Sequence, residues 1–175
     1  HMDAEDFAYE VDYLLREYGD RAYYHLNLLG SHDTPRLLTL SQRNVQRAVI
    51  AITLQLTLPG TPMIYYGDEI GMEGDNDPDC RRPMVWDERR WNPAIWQTTT
   101  RLTAARHEHP ALRSLHVEPL KLWNGVFAYA RRAADDVVLV VTNPRGVQPC
   151  LDISVPEGVA APPHDGHMAV ATAGE

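Results

Sequence analysis

Two short apolar runs stop abruptly in clusters of polar residues, and a helix-length apolar stretch lies between them. The first run, Ala22 to Leu29, ends at Gly30-Ser31-His32-Asp33-Thr34-Pro35-Arg36. The second, Met63-Ile64-Tyr65-Tyr66, ends at Gly67-Asp68-Glu69. Between them, Ser41 to Leu58 sets Val45, Ala48, Val49, Ile52 and Leu56 on one helical face, while Ile50, Ile52, Leu54, Leu56 and Leu58 also alternate like a strand. Length decides for helix, with Ser41 or Asn44 as cap and Pro59-Gly60 as terminator. Ahead of the first run, Phe7, Val11, Leu14, Leu15 and Tyr18 recur at helical spacing, with Asp3 as N-cap and Gly19 as stop. The order is helix, strand, helix, strand, which is a βα repeat with a parallel sheet. The first run is apolar on both faces, as a strand covered by helices on both sides would be. A buried strand that delivers a His and a carboxylate at its carboxyl end is how a parallel α/β enzyme presents chemistry.

Gly71 to Asn92 reads as a loop dense in Asp, Pro, Arg and Trp, and too long for a plain connector. Pro93 to about Arg106 reads as a helix capped by Asn92, with proline at its first position. The pattern changes near Leu115. Lys121 to Arg131, Val137 to Asn143 and Cys150 to Val155 read as short strands. Asn124-Gly125 is a strong hairpin turn between strands and Ala134-Asp135-Asp136 a weaker one, so a small antiparallel sheet follows. Ala160 to Glu175 is poorly patterned and reads as loop or an unfinished strand.

The charge balance narrows the partners. A formal net charge of −8 argues against nucleic acid, because phosphate binding needs a basic surface. No Lys/Arg run forms a membrane patch, and no apolar run approaches the roughly 20 residues that span a bilayer. The two cysteines, Cys80 and Cys150, lie far apart and form no C-x-x-C pair, so a reducing, cytoplasmic setting is expected. A single bridge between them stays open.

The polar cluster after the first run, with its flanks, resembles a known family. Leu28-Leu29-Gly30-Ser31-His32-Asp33-Thr34-Pro35-Arg36 is similar to the fourth conserved region of the α-amylase family of glycoside hydrolases. Pro59-Gly60-Thr61-Pro62-Met63-Ile64-Tyr65-Tyr66-Gly67-Asp68-Glu69-Ile70-Gly71-Met72 resembles that family's eighth barrel strand and the loop after it. Asn76-Asp77-Pro78-Asp79-Cys80-Arg81-Arg82-Pro83-Met84-Val85-Trp86-Asp87 resembles the neopullulanase, cyclomaltodextrinase and maltogenic amylase branch. The resemblance implies an α/β plus all-β chain: the last part of a (β/α)8 (TIM) barrel, followed by a partial antiparallel C-terminal β-sandwich. Residues 3–112 would be the C-terminal portion of the barrel, helix 6 to helix 8, and residues 113–175 an incomplete sandwich. A whole barrel needs about 250 residues, so the resemblance implies a C-terminal fragment of such an enzyme.

The resemblance also assigns roles. Retaining glycoside hydrolysis needs two carboxyl groups flanking the scissile bond. In the family these come from strands 4 and 5, whose motifs do not occur in this sequence. Asp33 matches the third family carboxylate, which stabilises positive charge at the transition state. His32 would hydrogen-bond the same sugar ring. Asp77 and Arg81 match loop residues that contact donor-side glucose units, provided the loop is ordered. The implied partner is an α-glucan oligosaccharide with α-1,4 and, in some members, α-1,6 bonds, as in cyclodextrin, pullulan or starch. No cofactor and no metal are implied, and the isolated chain is expected to be inactive.

Other polar residues carry plainer readings beside functional ones. A His-Asp pair after a strand can be a simple turn and helix cap. Asp68 and Glu69 are adjacent, so structural roles are favoured over a paired-carboxylate dyad. Asp75, Asp77 and Asp79 lack the Gly and terminal Glu of a calcium loop, and a substrate loop or solvated turn is preferred. His107-x-His109 and His164-x-x-His167 lack a third metal ligand and read as surface histidines. Trp86, Trp91 and Trp96 could stack on sugars or serve packing. Two alternatives to an enzyme fragment remain: a non-catalytic maltooligosaccharide-binding module, and a structural piece. Two barrel strands would leave open edges and bare apolar faces, so self-association into a homo-oligomer is expected.

Overall fold

A computed structural model describes residues 4–123, 126–143 and 168–172. The first helix, α1 (Ala4–Tyr18), is the amphipathic segment anticipated from its spacing. Gly19–Tyr24 then winds as a turn of 3-10 helix. The first strand, β1, is confined to Leu26–Leu28, shorter than the Ala22 to Leu29 run expected. The helix expected over Ser41 to Leu58 forms as α3 (Val45–Thr57), and a single turn not anticipated from the sequence, α2 (Leu37–Leu40), precedes it. Gln42 and Arg43, both at positive φ (57° and 59°), break the path between them. Asn44, not Ser41, caps α3: its Oδ1 accepts from the Arg47 amide at 3.1 Å. The second strand, β2, is Thr61–Met63, earlier than the Met63 to Tyr66 run expected. The apolar run continues past the strand, and those residues pack without pairing.

A turn of 3-10 helix, Asp68–Ile70, leads into the long loop, and two more, Asp79–Arg81 and Glu88–Arg90, punctuate it. Helix α4 (Pro93–Glu108) follows, with Asn92 Oδ1 accepting from the amides of Ala94 (3.1 Å) and Ile95 (3.2 Å) as expected of its cap. A single turn, α5 (Pro110–Arg113), leads to β3 (Val117–Trp123), β4 (Val126–Ala133), β5 (Asp136–Thr142) and β6 (Met168–Thr172). The Asn124-Gly125 turn, the Cys150 to Val155 strand, Cys150 itself and His164/His167 lie outside the described residues.

The chain divides into two compact units. One comprises residues 26–56 and 61–105. Here β1 and β2 pair in parallel, Leu26 with Thr61, Asn27 with Pro62 and Leu28 with Met63, which is the parallel βα repeat that the sequence order implies. Pro62 has no N–H to donate, which a strand with an open edge tolerates. Helix α3 covers one side through Ala48, Ile52 and Leu56, all buried. Its Gln55 amide donates to both strands, to Asn27 O at 3.0 Å and Met63 O at 2.8 Å. Leu26 and Leu28 are 55% and 48% exposed, which corrects the expectation of a strand covered on both faces. In a strand they share one face while Asn27 takes the other. A two-stranded sheet has no neighbour to bury that face.

The other unit comprises residues 1–25, 57–60 and 106–175. Its antiparallel sheet runs in the order β3-β4-β5-β6, so the tail that reads as an unfinished strand supplies an edge strand paired to β5. In β3 the register slips between Pro119 and Lys121, a bulge on an edge strand. The six residues Val126–Arg131 are all buried, as are Val137–Thr142. Arg131 is fully buried, and among the described residues no carboxylate pairs with it. It donates instead to three backbone carbonyls: Thr57, Ser114 and His116. Arg106 works the same way on the carbonyls of Leu58, Gly60 and Leu112. The Tyr129 hydroxyl meets Thr57 Oγ1 at 2.5 Å in the same interior.

A two-residue turn, Ala134-Asp135, joins β4 to β5 between the paired residues Ala133 and Asp136. Ala134 sits at φ 48°, where an L-residue with a Cβ is disfavoured by roughly 1 kcal/mol. Ala134→Gly is expected to stabilise the chain by about 0.5–1 kcal/mol in urea unfolding. A loss of stability would count against strain at this turn.

Candidate active site

Beyond β1 the backbone turns sharply, and the turn is built by its own hydroxyls. The Ser31 amide donates to Thr34 Oγ1 at 3.0 Å, and the Asp33 amide donates to Ser31 Oγ at 3.1 Å. This local bonding lifts His32 and Asp33 to the apex, where both side chains are exposed. His32 Nε2 lies 3.1 Å from Asp33 Oδ2.

The loop after β2 reaches the same place. Arg81, on the Asp79–Arg81 turn, is the hub. Its Nε donates to the His32 carbonyl at 3.0 Å and lies 3.1 Å from Asp77 Oδ1, and its Nη2 lies 3.4 Å from Asp33 Oδ1. The Cys80 thiol, buried and free, donates to the same His32 carbonyl at 3.2 Å. All four residues singled out in the sequence, His32, Asp33, Asp77 and Arg81, therefore meet in one cluster. The four-residue spacing of Asp77 and Arg81 brings them into contact, as the loop reading required.

The loop is ordered by its other charges. Asp79 accepts from the Asp75 amide at 2.7 Å and from Arg82 Nε at 2.7 Å, and these bonds, the amide first, hold its carboxyl below the ordinary value. The Tyr66 hydroxyl donates to Arg82 O at 2.9 Å. Trp91 Nε1 donates to Val85 O at 2.7 Å, and its ring lies 4.9 Å from that of Trp96. Of the three tryptophans Trp86, Trp91 and Trp96, Trp86 stands out in solvent, 79% exposed. Asp75, Asp77 and Asp79 do not converge on one point: Asp77 faces Arg81, and Asp79 faces Arg82. His109, one of the expected surface histidines, is instead half-buried, with Nδ1 2.9 Å from Asp136 Oδ1.

Beneath the exposed cluster lies a buried one, in which sequence reasoning gave Asp68 and Glu69 structural roles but missed Arg36. Arg36 is fully buried, and its guanidinium lies 4.3 Å from the Tyr65 ring centroid and 4.5 Å from that of Tyr66. It donates to the Tyr66 carbonyl, and its Nη1 is 3.6 Å from Asp68 Oδ1. Among the described residues, Arg36 Nε and Nη2, Asp68 Oδ1 and Glu69 Oε2 are buried without a hydrogen bond. Asp68 and Glu69 lie on a 3-10 turn, and Asp68 is committed to Arg36 rather than forming a dyad with Glu69. The available signal was Arg36 itself, an arginine directly ahead of the buried leucines Leu37 and Leu38.

Burial pushes Asp68 from 3.8 up to about 6, against the pull of Arg36 and of a hydrogen bond from the Leu37 amide. The fold thus favours its protonated form. The stability it contributes is fully present below about pH 4 and is lost as pH rises through about 6. Asp68→Asn is expected to flatten the dependence of the urea midpoint on pH across that window. A variant with the slope of the parent would refute the assignment.

The exposed ion pairs of Arg81 are worth little each, about 0–1 kcal/mol. They are therefore readily exchanged for a polar ligand. A guanidinium, two carboxylates and an imidazole in one patch suit a ligand rich in hydroxyl groups. The parallel strand pair, with its polar residues gathered beyond the carboxyl ends, has the layout of an α/β barrel enzyme.

The chain belongs to the α-amylase family: residues 1–109 match its description, "Alpha amylase, catalytic domain". It is 40% identical over 145 residues to a cyclomaltodextrinase from Geobacillus thermopakistaniensis (strain MAS1), a match covering 81% of this chain and 25% of that protein. It is also 40% identical over 160 residues to neopullulanase 2 from Thermoactinomyces vulgaris, covering 88% and 27%. Among solved structures, a cyclic α-maltosyl-(1→6)-maltose hydrolase from Arthrobacter globiformis, in complex with that sugar, superposes with a TM-score of 0.76 at 36% identity. That match covers 81% of this chain and 32% of the other. A cyclomaltodextrinase superposes with a TM-score of 0.83 at 32% identity, covering 98% and 32%. The chain thus spans about a quarter of the length of the curated relatives it matches.

Proposed function

We propose that this chain contributes the last part of the active-site cleft of a retaining α-glucan hydrolase acting on cyclodextrin, pullulan or starch. The carrying observation is the convergence of Arg81 on His32, Asp33 and Asp77 beyond the carboxyl end of β1. In this reading Asp33 stabilises the positive charge that develops on the sugar ring. His32 donates to a hydroxyl of the same ring. Asp77 and Arg81 hold the neighbouring glucose unit, their mutual ion pair giving way to sugar hydroxyls. Residues 3–112 belong to the barrel and 113–175 to a C-terminal β-sandwich. The names of the relatives support the substrate class, and the match to the family's catalytic domain supports the barrel assignment.

Hydrolysis with retention needs a nucleophile and a general acid as well as a stabilising carboxylate. Asp33 supplies only the last of these, so the 175-residue chain is expected to give no turnover of cyclodextrin, pullulan or starch. Reducing-sugar release measured against a blank checks this. Robust hydrolysis that disappears in Asp33→Asn would overturn it. The exposed Leu26 and Leu28 favour self-association of the chain, and light scattering is expected to return a mass above that of one copy. A strictly monomeric mass at working concentration counts against this part of the reading.

A further inference from the structure

The turn that carries His32 and Asp33 is bracketed by Gly30 before it and by Arg36 and Leu37 after it. All three touch one buried side chain, Asp68. A methyl group on Gly30 would overlap Asp68 Oδ2, so the carboxylate lies directly against the Gly30 backbone. The Leu37 amide donates to the same carboxylate, and Arg36 Nη1 lies 3.6 Å from its other oxygen. Asp68 is 6% exposed, too deep to meet a substrate. It arrives from the segment after β2, behind Gly67, which turns at φ 88° and whose own missing Cβ leaves room for Met72. Arg36 cannot drift, since it is stacked on Tyr65 and Tyr66 and bonded to the Tyr66 carbonyl. A single carboxylate from the second loop thus closes the first loop across its base.

We propose that Asp68, braced by Arg36, is a positioning residue: by tying Gly30 to Leu37 it sets the height and direction at which His32 and Asp33 meet substrate. This rests on the reading of His32 and Asp33 as sugar-facing groups. Asp68 acts on them only through the backbone of the turn, whose internal bonds are the Ser31–Thr34 and Asp33–Ser31 contacts. With the base of the turn released, those bonds open more often, and the His32–Asp33 contact is lost with them.

The test is amide hydrogen exchange together with the Asp33 13Cγ resonance on the 175-residue chain, without substrate. Asp68→Ala is expected to speed exchange at Ser31 and Asp33 at least tenfold and to move the Asp33 13Cγ signal. The amides of Val138, Leu139 and Val140 stay at their parent rates. Asp68→Asn keeps an acceptor for Leu37 and the packing on Gly30, and is expected to remain within threefold of the parent. Gly30→Ala attacks the same contact from the other side and leaves Asp68 and Arg36 in place, so it answers if Asp68→Ala does not fold. It is expected to reproduce the local loosening. In the double variant the small residue at 68 makes room for the methyl, so Gly30→Ala adds nothing further. Unchanged Ser31 and Asp33 exchange in the variants, or a rise spread equally over the Val138–Val140 amides, would overturn the proposal. None of these signals involves turnover. Failure of the catalytic assignment of Asp33 therefore leaves them standing, and their failure leaves that assignment untouched.

Discussion

Replacing Arg131 by methionine is expected to cost the antiparallel unit about 3–5 kcal/mol. The side chain is fully buried, yet among the described residues no carboxylate pairs with it. Burial pushes its guanidinium down to about 10, and it remains charged at neutral pH. Its worth comes from three carbonyls, those of Thr57, Ser114 and His116, which it satisfies together. Methionine fills much of the volume but donates nothing. The three carbonyls then lose this donor, the Thr57 carbonyl in the interior, and hydrogen bonds from a charged donor are worth roughly 1.5–3 kcal/mol apiece before relaxation. The comparison is made by urea unfolding followed through sheet circular dichroism. A loss under about 1 kcal/mol would show that the carbonyls find other donors and that the arginine is a passenger.

The second large effect concerns chemistry. If this chain is fused behind the upstream part of a cyclomaltodextrinase relative, cyclodextrin hydrolysis is expected, and Asp33→Asn should lower kcat by about 100- to 1000-fold. Asparagine keeps the shape of aspartate and its bond to the Ser31 hydroxyl through the main chain. The side chain is 68% exposed, so thermal stability should stay at the parent value. What is removed is a full negative charge facing a transition state that gains positive charge. Because the ground-state sugar is neutral, KM should change far less than kcat. A kcat within tenfold of the parent fusion would remove Asp33 from the role proposed for it.

The parts of the fold that could be read from sequence are those set by local rules. Helix α1 and helix α4 follow from apolar spacing and from caps placed at Gly19 and Asn92. The βα order followed from two apolar runs ended by polar residues. What could not be read was decided by partners distant in the chain. The strands proved shorter than their apolar runs because only three residue pairs find each other across β1 and β2. The break between α2 and α3 depends on Gln42 and Arg43 taking positive φ, which neither residue type announces. Within the site, His32, Asp33, Asp77 and Arg81 stood out because a family resemblance supplied their roles. Their meeting through Arg81 had only the spacing of four behind it. Asp68 was given a structural role, but its pairing with Arg36 went unread, since a buried ion pair 32 residues apart leaves no periodic trace.

Gln55 offers a last point. One carboxamide group reaches the main chain of both parallel strands, at the middle of β1 and at the last residue of β2. The spacing of the two strands is thus held twice, by their own pairing and by a single amide behind them. Either loop can lengthen, shorten or be exchanged while its anchor point stays in place, because the anchor points belong to the strands and to the helix behind them. The substrate-facing segments are in effect interchangeable fittings on a common bracket, and residue 55 is its bolt.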